Sequence, residues 1–105
     1  MTLTRSFKET VQARVVADPA FRQALLQEAV QTFLRGDVDT GKVLLRDYIN
    51  ATGGFADVAD ATGTPSKSLM RMFSPRGNPQ ARNLFAVLAH LQQQAGLELL
   101  VASKK

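Results

Sequence analysis

The stretch FADVADATGTPSKSLMRMF, residues 55–73, decides how this chain is read. Two short apolar-periodic segments flank Gly63 and Thr64. Phe55 and Val58 share one face before the bend, and Leu69, Met72 and Phe73 share one after it. Two helices meeting across a tight turn need a small residue at the close approach, here Ala59. They also need a residue that tolerates left-handed geometry at the bend, here Gly63. With the apolar positions holding the second helix down, Ser66, Lys67, Ser68, Met70 and Arg71 are left on its outer side. The spacing predicts helices over 55–62 and 65–73, with Thr64 as cap and Pro65 at the first position of the second.

The same punctuation continues on both sides. Ser6 and Glu9 form a capping-box pattern that opens a helix to about Ala17, with Phe7, Val11 and Val15 on one face. Asp18-Pro19 starts a second helix that runs to about Arg35 and ends at Gly36. Its apolar side is Phe21, Leu25, Leu26, Val30 and Phe33. Asp37 caps a third, which buries Leu45, Tyr48 and Ile49 and stops at Gly53-Gly54. On the other side, Ser74-Pro75-Arg76-Gly77 is a turn. Asn78-Pro79 then starts a longer helix to about Ala95, with Ala81, Leu84, Leu88, Leu91 and Ala95 as its apolar row and Asn78 as its cap. Gly96 closes that helix, and Leu97–Val101 is the one plausible strand. So apolar a strand either pairs with its copy in a second subunit or with a partner, or packs flat on the core. The expected fold is all-α, a bundle of five to six helices with a short C-terminal strand. An N-terminal helical segment, 1–54, and a helix-turn-helix region, 55–105, make one compact domain.

Charge separates the two halves. Residues 1–60 carry seven Lys/Arg and eight Asp/Glu, whereas residues 61–105 carry six Lys/Arg and the single acid Glu98. From Thr64 to Leu84 the chain holds Lys67, Arg71, Arg76 and Arg82 and no acid. An acid-free basic stretch on a helix after a tight turn suits a polyanion. Hydroxyls and cations on the outer face can meet base edges or phosphates, and Met70 can touch a thymine methyl. The competing reading is a helical hairpin whose polar face is merely solvated. Arg76 and Arg82 are candidates for phosphate contacts that set register. Asn78 and Gln80 lie beside them at a helix start whose free N–H groups can hold a phosphate.

Catalysis finds little support. His90 is the single histidine and there is no cysteine, so neither a nucleophile–base pair nor a metal centre can be assembled. Asp37-x-Asp39-x-Gly41 has the start of a calcium loop, but Tyr48 stands where the closing Glu belongs. There is no Gly-rich phosphate loop. The expectation is a protein that is not an enzyme and holds no cofactor or metal. Lack of cysteine, of a signal-peptide core and of a membrane-length apolar run predicts a cytoplasmic protein without membrane contact.

The segment SKSLMRMFSPRGNPQARNLFAVLAHL, residues 66–91, resembles the lambda-repressor-like (XRE/Cro-type) helix-turn-helix of the addiction-module antidote family. The Ser74-Pro75-Arg76-Gly77-Asn78-Pro79 turn is the most specific part of the likeness. The stretch DVDTGKVLLRDYINATGG, residues 37–54, also looks like that family's short helix ahead of the DNA-binding pair, and the likeness covers roughly residues 18–102. It implies a homodimer on a double-stranded DNA operator, repressing its own promoter and neutralising a RelE/ParE-like toxin. Base reading would fall to Ser66, Lys67, Ser68 and Arg71, and phosphate contacts to Arg76 and Arg82. A stand-alone regulator without a toxin, or a helical protein-interaction module that binds no DNA, are the alternatives.

Overall fold

Asp18 opens the helix that follows it by the chemistry its sequence announces. Its Oδ1 accepts the N–H groups of Ala20 (3.1 Å) and Phe21 (3.2 Å), while Pro19, lacking an N–H, takes the first helical position. The structure, a computed structural model, describes Thr10, residues 13–15 and residues 17–96. Among them the regular structure is all helical: Thr10, residues 13–15 and Ala17 are helical, within the helix expected up to Ala17, and after Asp18 come α1 (Pro19–Leu34), α2 (Val38–Thr52), α3 (Gly54–Thr62), α4 (Ser66–Met72) and α5 (Ala81–Gln94). The Ser6/Glu9 capping box and the Leu97–Val101 strand lie outside the described residues. No described helix is long and apolar enough to cross a membrane.

Helices α1 to α5 feed one core. Leu26 and Ala29 come from α1, Leu45, Tyr48 and Ile49 from α2, Phe55 and Val58 from α3, Leu69 and Met72 from α4, and Val87 and Leu91 from α5, with Phe73 just past α4. The Phe55 and Phe73 rings meet at 6.2 Å between centroids with a 44° tilt, within the range of favourable aromatic pairs. α1 packs along α2, and α3 touches α2, α4 and α5. Asp57 on α3 adds a polar tie to α5: its Oδ2 accepts from Gln94 Nε2 at 2.7 Å and lies 3.3 Å from His90 Nε2. His90 is thus a half-buried link between helices.

Three sequence expectations shift. The helix after the turn starts at Ala81, two residues later than Asn78-Pro79 indicates. Asn78 is exposed and caps nothing, and Gln80 stands extended (φ −72°, ψ 145°) as the residue before α5. Likewise α4 starts at Ser66. Pro65 is the boundary residue (φ −58°, ψ 144°), and the Thr64 side chain makes no cap. The buried row of α5 is set by Val87 and Leu91, with Leu84 and Leu88 packed against the core, while Ala81 is exposed. The Asp37 and Asp39 side chains are engaged within the fold. Asp37 Oδ1 accepts the Thr40 N–H (3.2 Å), and Asp39 Oδ1 lies 3.6 Å from Lys42 Nζ.

Candidate nucleic-acid interface

The bend between α3 and α4 is built on Gly63, whose φ of +75° places it in the left-handed region that a side chain disfavours. Its N–H closes the end of α3 on the Ala59 carbonyl at 2.9 Å. The chain then returns as α4 with Leu69, Met72 and Phe73 buried. Those three fix the rotation of the helix, because residues three and four apart share a face. Lys67, Ser68, Met70 and Arg71 are left exposed, Met70 at 52%, and Ser66 is half-buried on the flank. An exposed methionine between two cations is apolar surface that the fold does not use.

After α4 the chain makes a tight turn that stays against the helix it leaves. Ser74 Oγ donates to the Arg71 carbonyl (2.6 Å), and the Gly77 N–H donates to the Ser74 carbonyl (2.9 Å). A Cβ on Gly77 would press into the Arg71 carbonyl oxygen and lie 2.6 Å from that of Met72, so only glycine lets the turn close onto the end of α4.

Between α4, this turn and the start of α5 lies a shallow groove of about 340 Å³. Ser68, Arg71, Arg76, Asn78 and Gln80, five of the residues expected from sequence, line it together with Thr64, Met72, Gly77 and Asn83. Ser66, Lys67 and Met70 on α4, and Arg82 on α5, lie outside that lining. The lining is acid-free. Among the described residues no ion pair involves Lys67, Arg71, Arg76 or Arg82. The first N–H groups of α5 have no side-chain cap. Cations, hydroxyls and amides around an open, acid-free groove can bind phosphate oxygens and the edges of planar polar groups.

Three residues were missed at the sequence level. Asn83 lines the groove without having been singled out, and Thr64 lines it although the sequence marks it only as a helix cap. Lys42, on α2, is 3% exposed, and its ammonium donates to the carbonyl oxygens of Ser74 (3.0 Å), Pro75 (3.3 Å) and Gly77 (2.6 Å). Its spacing from Leu45 and Ile49 puts it on the buried stripe of α2, and a lysine on an apolar stripe was the signal available.

Comparison of the chain with protein-family models, with curated proteins and with solved structures finds no match.

Proposed function

We propose that the protein is a sequence-specific, double-stranded-DNA-binding repressor of lambda-repressor type, acting as a homodimer. The observation that carries this reading is the acid-free groove in which α4 and the Ser74–Gln80 segment converge with Arg71 and Arg76 exposed. In this reading α4 enters the major groove. Ser66, Lys67, Ser68 and Arg71 meet base edges there, and Met70 meets a thymine methyl. Arg76 and Arg82 hold phosphates and set register, with Asn78, Gln80 and the uncapped start of α5 beside them. A dimer follows from the length of α4. Seven residues reach only a few base pairs, and a two-fold symmetric site doubles the contacts.

Titration of duplex DNA from upstream of the chain's own gene, followed by gel shift, tests the reading. Arg71→Ala should weaken binding by ~1–3 kcal/mol if its guanidinium makes a bidentate base contact. Unchanged operator affinity removes that assignment. The antitoxin role is supported by the likeness of the Ser74–Pro79 turn to the antidote family. Co-purification with a RelE/ParE-like toxin encoded beside it is the expected outcome, and DNA binding without such a neighbour makes it a stand-alone regulator. Absence of salt-dependent DNA affinity would turn the reading to a protein-interaction module.

A further inference from the structure

We infer that Lys42 is a positioning residue of the DNA-binding surface, which holds Arg76 at the phosphate backbone without touching DNA itself. The inference rests on the DNA-binding reading above. Lys42 comes from α2, outside the α3–α4 pair, and its side chain is almost wholly covered. An ammonium has three N–H donors, and here three carbonyl oxygens receive them: those of Ser74, Pro75 and Gly77. These carbonyls stand on both sides of Arg76. Within the four-residue turn the Arg76 carbonyl is the one Lys42 leaves alone, and the Arg76 side chain is exposed on the groove.

The pin matters because it ties this segment to α2 by three hydrogen bonds. Residues 77–80 have no regular structure, and neither helix start beside the groove carries a side-chain cap. A surface arginine on a free loop loses side-chain and backbone entropy when it meets a phosphate. An arginine on a turn fixed beforehand loses less. A lysine is suited to the pinning role, since its compact ammonium donates to carbonyl oxygens in several directions, where a planar guanidinium donates within one plane. Asp39, exposed and 3.6 Å from the ammonium, leaves the three carbonyls as its close partners.

The test uses the full chain and a random-sequence DNA duplex, because phosphate contacts are read on any sequence. Affinity is measured by fluorescence anisotropy over a salt series for wild type, Lys42→Met, Arg76→Ala and the double variant. Losing one phosphate contact lowers the salt slope by about one. Lys42→Met should show that loss although it removes no exposed charge. The double variant should fall no further than Arg76→Ala alone, since both substitutions remove the same contact. Circular dichroism establishes that each variant is folded. If Lys42→Met is not, Lys42→Ala, which likewise removes every donor, carries the same expectation. A wild-type slope in a folded Lys42 variant, with a reduced slope in Arg76→Ala, overturns the positioning role and leaves DNA binding intact. Additive losses in the double variant overturn it as well. No salt-dependent binding by wild type overturns the DNA-binding reading and this inference together.

Discussion

Tyr48 is the one tyrosine of the chain, and α2 carries its ring into the core with 1% of its surface exposed. Burial raises its phenol above the ordinary 10.0, and the Arg22 guanidinium pulls more weakly in the opposite direction. The unfolded chain therefore releases this proton at a lower pH than the folded one. The stability tied to it is complete below the unfolded value and is lost as pH rises through the folded value. The prediction is a fall in unfolding free energy above pH 10.0 that is smaller in Tyr48→Phe, which keeps the ring and removes the acid. Urea unfolding of both proteins across the alkaline range checks it, and equal declines would dismiss Tyr48 as a source. Because there is no tryptophan, ultraviolet absorbance follows the phenolate directly. The place of Tyr48 in the core was legible from its spacing with Leu45 and Ile49. The electrostatic pull of Arg22 on it was not, since that depends on how α1 lies against α2.

At the scale of elements, α4 is short, and its grip on the core decides whether its outer face is ordered. Seven residues make no stable helix alone, so Leu69, Met72 and Phe73 hold it in place by burial. Leu69→Ala should cost about 2–5 kcal/mol of stability, read by urea unfolding, and should weaken DNA binding although Leu69 is wholly buried. Lys67→Ala, on the exposed side, should change stability by no more than about 0.5 kcal/mol while still lowering DNA affinity. If both variants bind as wild type does, α4 is not the DNA-reading element. The locks of α4 and the left-handed bend at Gly63 were legible because each follows from local spacing or from one residue's backbone freedom. The start of α5 was not. Asn78-Pro79 has the local form of a cap and first turn, yet the chain stays extended to Gln80. The preceding turn is tied to Lys42, more than thirty residues away, and no local rule sees that tie. The same distance explains why the groove was legible only in part. Arg71 and Arg76 stood out as charges, but Thr64 and Asn83 join them only through packing of three segments.

On the scale of the whole molecule, the division of charge along the sequence has a measurable consequence. Residues 61–105 hold one acid against six basic residues, and four of those six, Lys67, Arg71, Arg76 and Arg82, are exposed on α4, the turn and the start of α5. Binding through phosphates releases condensed counterions in proportion to the contacts made, and this sets how steeply affinity falls with salt. If all four cations of one protomer meet phosphates, the slope of log affinity against log salt is about −3.6, and a dimer seated on both half-sites doubles it to about −7. Anisotropy titrations across a salt series measure that slope, and sedimentation of the complex gives its stoichiometry. A protein that reads bases with Lys67 and Arg71 gives up some of this slope at its operator and keeps the whole of it on random DNA, where those side chains turn to phosphates. The slope on random duplex should therefore be the steeper of the two, and the difference counts the cations committed to bases. A slope near zero on both duplexes would mean that the exposed cations of α4 and its following turn serve only to keep that surface in water.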